Sequence, residues 1–322
     1  MHRVTRRIAL GIGLCAAFAA LPAYAQYPNR AVKLVVPYPP GSGTDTMARY
    51  MARRLESAMG QPFVVENKLG GNAIIAAQAV IRAPADGHTL LWAANGPVTT
   101  NAALYDKLPY DPLKDLSPVA RVSYSPMGLY VSAQSPYTSA AALFDAIKKE
   151  PGKLSYGMGS ATYQMATEWL LSHFNGKAVG VSYKGAAPAL TDLAGGQVNF
   201  VIAEYSAAVP LVQGGRLRLL AVTSDKRMPA DPAIPTLQEL GYKDFFQVAW
   251  WGVFAPANTP SPVVSRLEKA ILQIVGDAET RSFLDKNNFA AFPGNASELR
   301  RFQESEIQRE KRLVDQFSIQ KL

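Results

Sequence analysis

Between residues 31 and 94, short apolar runs alternate with segments of helical spacing, and that alternation restricts the fold more than any other feature. Residues 31–37 (AVKLVVP) read as a strand of the buried parallel kind. Residues 38–43 (YPPGSG) follow as a Pro- and Gly-rich loop, and 44–59 have helical spacing. On that helix Met47, Tyr50, Met51, Leu55 and Met59 share one face, with Arg49, Arg53 and Arg54 mainly on others. Gly60 stands where a C-cap glycine belongs. The pattern then predicts a strand over 62–67, a helix of small residues over 73–82 and a third strand over 88–94. A β-α-β-α-β run of this kind is the mark of a parallel sheet covered by helices.

A second set follows after Leu116. Strand-like segments at 121–132, 153–157, 179–183, 198–203 and 217–224 are interleaved with helical ones at 140–149, 163–175 and 188–194. Residues 246–254 return to an apolar strand, and 262–316 are mostly helical. The expected architecture is α/β with two lobes, each a mostly parallel sheet flanked by helices. Lobe I takes residues 26–123 plus 249–322 and lobe II residues 124–248, with crossovers near 121–126 and 246–250. If the C-terminal helices cover the first sheet, the chain crosses twice. A double crossover makes a hinge, and the cleft beside it is the default site.

Composition narrows the function. The chain has 322 residues, 18% of them charged, a formal charge of +8 and one cysteine. A mean hydropathy near zero and one long apolar run exclude a polytopic membrane protein. That run lies at the start: Arg3, Arg6 and Arg7, then apolar residues 8–21, then Ala23-Tyr24-Ala25. This is the order of a secretory signal peptide over residues 1–25, with cleavage after Ala25. Thr5-Arg6-Arg7 is a weak twin-arginine signal, and Ala9, where a bulky apolar residue is usual, favours the general export route. Export removes Cys15 and three of the positive charges, and places the mature chain in the periplasm, where nucleotides, NAD and nucleic acid are scarce. The remaining basic residues alternate with acids, as in Glu306, Arg309, Glu310 and Lys311, and form a solvated face rather than a polyanion site.

No catalytic constellation stands out. His88 and His173 are far apart, and no H-E-x-x-H, G-x-S-x-G or phosphate-loop motif occurs. The sharpest loop runs Pro39-Pro40-Gly41-Ser42-Gly43-Thr44-Asp45 between a strand and a helix. Its glycines let backbone N–H groups approach a ligand, the helix N-terminus adds a positive dipole end, and Ser42 and Thr44 add hydroxyls; such a place suits a carboxylate. A dinucleotide fingerprint fits poorly, because Thr46 stands where the third glycine would be. Gly157-Met158-Gly159-Ser160-Ala161-Thr162 repeats the design, and Tyr183-Lys184-Gly185 does so more weakly. Lys184 reads equally as a counter-ion and as a solvated rim residue. Asn95 reads equally as a ligand contact and as a turn former. Of Trp250 and Trp251, one is expected in the core and the other on the cleft wall.

These segments resemble the Bug-type substrate-binding proteins of tripartite tricarboxylate transporters. The resemblance is carried by VVPYPPGSGTD (35–45), VVENKLGGN (64–72), APADGHTLLWAANG (83–96), NAALYDKLPYDPLKDLSPVA (101–120), SYKGAAPALTDLAGGQVNF (182–200), GGRLRLLAVTSDKR (214–227) and IPTLQELGY (234–242). It implies a Venus-flytrap, type II-like periplasmic binding protein, without cofactor or metal and not an enzyme. Such a protein captures a small carboxylate and delivers it to membrane permease subunits; a monomer is expected. The alternatives are a carboxylate sensor signalling through a membrane partner and a periplasmic enzyme. The resemblance implies ligand contacts from the loops that match Pro40, Gly41, Ser42, Gly43, Thr44 and Asp45 and Ser160, Ala161, Thr162 and Gln164, with Tyr183, Lys184 and Gly185 nearby; Tyr38 and Asn95, beside these loops, complete the candidates. One departure stands out. Where relatives often carry an acidic residue followed by an amide, this chain has Ala203-Glu204-Tyr205-Ser206, so Glu204 or Tyr205 is expected at the far end of the ligand, or both are structural.

Overall fold

The computed structural model describes residues 27–228 and 230–322; the expected leader, Cys15 and the cleavage site lie outside the described residues. Strand β1 (Val32–Val36) leads through a Pro-Gly loop into helix α1 (Gly43–Met59). Ser42 caps that helix by accepting a bond from the Asp45 N–H, and Gly60 ends it in the left-handed conformation at φ 75°, where a Cβ would be strained. Met47, Met51 and Leu55, one turn apart, are wholly buried. Next come β2 (Phe63–Asn67), α2 (Ile74–Ile81) and β3 (Thr89–Ala94), then a π-turn (Gly96–Thr100) that runs into α3 (Asn101–Leu104).

The second set holds α4 (Ala140–Lys149), β5 (Ser155–Met158), α5 (Ala161–Ser172), β6 (Val179–Ser182) and α6 (Ala186–Ala194). It continues with β7 (Phe200–Glu204), α7 (Tyr205–Gln213) and β8 (Leu217–Val222). The chain then returns through β9 (Val248–Pro256), α8 (Ser261–Gly276), α9 (Ala278–Lys286), β10 (Ala290–Asn295) and α10 (Ala296–Phe317).

Strand β4 (Leu116–Ser132) belongs to both sheets. Over Leu116–Pro126 it pairs with β9, completing the order β2-β1-β3-β9-β4. From Met127 it pairs with β7 on one side and β8 on the other, and β7-β5-β6 follow. The strands read first as β-α-β units, β1 to β3 and β5 to β7, pair in parallel; antiparallel pairing enters with β4, β8, β9 and β10, so the sheets are mixed. The α/β two-lobed architecture matches the expectation.

Three local differences have physical causes. β4 begins at Leu116 rather than near 121, because residues 116–120 find ladder partners in β9. α7 contains Pro210, which breaks the helical reading of the sequence but lies within the helix here. β10 interrupts the C-terminal helical stretch; its Pro293 sits at a register irregularity on a strand paired only to β4, a position that tolerates a missing N–H.

At the crossing, Pro126 has no N–H to donate, and the next donor, Met127 N–H, goes to Thr223 Oγ1. That hydroxyl in turn donates to the Gln247 carbonyl, so one buried side chain ties β4 to both ends of the returning segment. Thr223→Val keeps the shape but orphans two buried backbone groups. It should lower unfolding stability by about 1–3 kcal/mol in urea denaturation; an unchanged midpoint would contradict this account of the crossing.

Candidate functional site

In a parallel α/β sheet, ligands bind beyond the C-terminal ends of strands, where adjacent strands send their connections to opposite faces. Each sheet here has such a point: between β1 and β3 in the first, between β5 and β7 in the second. The four loops leaving those strand ends meet. They surround a cavity of about 10 Å³, room for about one water molecule. Tyr38 and Ser42 reach it from the β1–α1 loop, Thr44 from the first turn of α1, Ala94 and Asn95 from the end of β3, and Ser160, Thr162 and Tyr163 from the start of α5. Glu204 at the end of β7, Ala186, Ala249 and Trp251 complete the wall.

Two helix N-termini, those of α1 and α5, therefore face one space. At α1 the Trp251 indole N–H donates to Thr44 Oγ1 at 2.8 Å, fixing the first turn against β9. At α5 Ser160 makes no side-chain cap bond; its carbonyl accepts from the Tyr163 N–H, and the Ala161 and Thr162 N–H groups are not taken up by the cap. Thr162 Oγ1 lies 3.2 Å from Thr100 Oγ1, which also donates to the buried Glu310 carboxylate of α10.

The candidates divide by what else engages them. Tyr38, Ser42, Thr44, Asn95, Ser160, Thr162 and Glu204 line the cavity. Asn95 does so with both ends of its amide in use, donating to the Val248 carbonyl and accepting from the Trp250 N–H. Asp45 is not in the wall. Its carboxylate accepts from the Gly41 N–H, Arg49 and Asn67, and these bonds outweigh its burial and hold its pKa down, so it shapes the loop. Pro40 and Gly41 are exposed at the loop tip. Gly43 stands behind the wall, its N–H toward Glu204.

In the second lobe, Ala161 is buried outside the lining and Gln164 donates to the Gln320 carbonyl. Tyr183 turns its phenol to Asp192, Lys184 is exposed, and Gly185 lies under Pro39. Tyr205 gives its phenol to Asp231, away from the cavity. Of the tryptophan pair, Trp251 is the wall residue and Trp250 packs in the core against Phe302. Ala94, Tyr163, Ala186 and Ala249 had no signal in the sequence, since each enters the wall only through the pairing of its element.

Besides Asp45, two carboxyls here are buried, and burial raises both. Burial pushes the pKa of Glu204 up to about 7 against the opposing pull of the Gly43 N–H and its own. Burial likewise raises Glu310 to about 7, although Arg309 beside it opposes the shift. Burial and then the Glu204 charge raise the Tyr38 phenol well above its usual range.

A carboxyl raised on folding keeps a proton that the unfolded chain gives up. Its stabilisation is full at acid pH and is lost as pH rises from about 4.5 to about 7. Each group then costs roughly 3 kcal/mol at neutral pH. The thermal midpoint should fall over that window, and Glu310→Gln should flatten a substantial part of the fall; a flat wild-type profile would refute both shifts. Gly159→Ala probes the second loop. Its Cβ would stand 2.6 Å from the Gly185 carbonyl carbon, backbone that cannot rotate away. Loss of about 1–3 kcal/mol is expected, read as a lower melting temperature.

Comparison with known proteins follows the same outline. Residues 47–319 match the family described as tripartite tricarboxylate transporter family receptor. Protein BugT of Bordetella pertussis is 36% identical over 274 residues, covering 83% of this chain and 84% of BugT. The structure of R. palustris Rpa4515 with adipate superposes with a TM-score of 0.89 at 34% identity, covering 92% of this chain and 100% of that one. MatC from Rhodopseudomonas palustris with bound malate superposes at 0.86 and 30% identity, covering 89% and 100%. Among the described residues no helix is long and apolar enough to cross a membrane. The chain belongs to the tripartite tricarboxylate transporter receptors, a family of periplasmic solute-binding proteins and not of enzymes.

Proposed function

We propose that the chain captures a small carboxylate, a di- or tricarboxylate or an aromatic acid, between lobe I (26–123 plus 249–322) and lobe II (124–248). Closure of the hinge holds the acid, and the closed form delivers it to the permease of a tripartite tricarboxylate transporter. The mature periplasmic chain begins after cleavage behind Ala25. One observation carries this reading: the N-termini of α1 and α5 converge on one cavity whose wall includes no lysine, arginine or histidine. Anion binding there rests on backbone N–H groups and hydroxyls, with water bridging where direct contacts fall short. The adipate and malate bound by the two R. palustris proteins support the ligand class.

A cavity of about 10 Å³ is far smaller than a dicarboxylate, so the lobes have to part for entry. The crossing at Pro126–Met127 and Thr223–Gln247 supplies the axis. Of the candidates, Tyr38, Ser42, Thr44, Asn95, Ser160, Thr162 and Glu204 are proposed as ligand contacts. Asp45, Gly43 and Gly185 shape the loops around them.

The test is a thermal-shift panel on the mature chain with malate, adipate, citrate and benzoate. A binder at a hundred times its dissociation constant stabilises by about 2.7 kcal/mol through mass action alone, and the ligand is recovered unchanged. Ser160→Ala with Thr162→Val should weaken that binder about tenfold or more, while Tyr205→Phe should leave affinity within about twofold. Turnover of the acid, or no shift with any member, would overturn the proposal.

A further inference from the structure

Glu204 is the residue by which this cleft departs from the rest of its wall. It ends β7, is 2% exposed, and lines the cavity. One oxygen, Oε1, looks toward α1: a Cβ placed on Gly43 would stand 3.5 Å from it. The other, Oε2, is buried and has no hydrogen-bond partner among the described residues; nor has the neighbouring Ser206 hydroxyl. A buried carboxyl oxygen without a partner marks a group shaped to meet something else.

Its surroundings say what. The titratable groups facing it are phenols, Tyr38 from the β1–α1 loop and Tyr130 from β4; beyond Tyr130 lie Tyr205 of α7 and the Asp231 carboxylate to which Tyr205 donates. Tyr163 of α5 shares the cavity wall, and no cation does. An acid anion closed in beside an ionised Glu204 would put two like charges in a low-dielectric space with no cation in the wall to neutralise them. Paired carboxylates in that position do not both ionise; one keeps a proton, and the O–H···O⁻ bond that results is short and strong. The hydroxyls of Ser42, Thr44, Ser160 and Thr162 can donate to the acid but carry no charge, and the Asn95 amide is spent on β9.

We infer that Glu204 meets the bound acid as a neutral carboxyl and donates its proton to the ligand carboxylate, so that each anion enters the cleft together with one proton from solvent. This rests on the carboxylate-binding reading above and makes Glu204 the residue that selects acid anions over zwitterions. An ammonium-bearing ligand would need the opposite, an ionised Glu204. Burial already brings the free group to about 7, so the proton is available near neutral pH.

The experiment is calorimetric titration of the mature wild-type chain with malate and adipate from about pH 6.5 to about pH 8.5, in buffers of differing ionisation heat. Both acids are already ionised there, so any proton taken up belongs to the protein. Uptake should approach one proton per acid bound at about pH 8, with the dissociation constant rising by up to about tenfold per pH unit above about pH 7. Glu204→Gln should abolish the uptake and flatten the pH dependence, whatever its affinity, with circular dichroism confirming that it folds. Binding without proton uptake, affinity that improves as pH rises, or tighter binding of aspartate or glutamate than of malate overturns this assignment and leaves the binding function standing. Failure of every acid to bind across the range overturns both.

Discussion

The backbone ladder of β4 holds the two halves of the molecule in register. One continuous strand supplies hydrogen-bond partners to β9 over Leu116–Pro126 and to β7 and β8 from Met127 onward. The change of partner occurs where a proline has no N–H to offer and the following N–H is taken by the Thr223 side chain. Everything that forms the site depends on this. The ends of β1 and β3 belong to one sheet and those of β5 and β7 to the other, and only the shared strand sets their loops face to face. The long helix α10 reinforces the arrangement: Gln303 donates to the Val98 and Pro112 carbonyls, and Glu310 accepts from Thr100 beside α5.

The second constraint is electrostatic. The cavity proposed to take an anion has no lysine, arginine or histidine in its wall. The positive potential comes from helix N-termini and oriented N–H groups, which formal charge does not count. The excess of basic residues is therefore a poor guide to what the protein binds; on α10, Arg309 pairs with Glu306 in a largely buried position and Glu310 is fully buried, so this stretch is not the solvated face its alternating charges suggested. Relying on dipoles also explains why Glu204 can sit in the same space. Close to a lysine or arginine it would be held ionised, whereas among phenols and hydroxyls it stays poised between its two forms.

Legibility followed locality. The α1 face and its Gly60 stop were readable because a periodic run and an end signal agree within one short segment, whereas Ser42, read only as a hydroxyl, turned out also to cap the helix. The hydroxyl-bearing loops after β1 and β5 were readable for the same reason, and Ser42, Thr44, Ser160 and Thr162 do reach one cavity. Glu204 and Tyr205 were not separable, because neighbours at a strand-to-helix junction point opposite ways and only the path of β7 says which way is in. Tyr183 and Lys184 had the look of the other loops, yet β6 lies at the sheet edge and of its following connection only Ala186, at the start of α6, reaches the wall. α7 and β10 were missed where a proline contradicted the local pattern and the pairing of a distant strand overrode it.

The sequence by itself determined the alternation of strand and helix and the glycine- and hydroxyl-bearing turns, because each is written in residues close together along the chain. The tertiary structure alone decided that four loops from two sheets enclose one cavity, that Trp251 rather than Trp250 walls it, and that a carboxyl from β7 faces the N-terminus of α1. These are contacts between residues as far apart as Thr44 and Trp251, and no local propensity specifies them. They follow from strand order and register, which the chain settles only once both sheets have formed around β4.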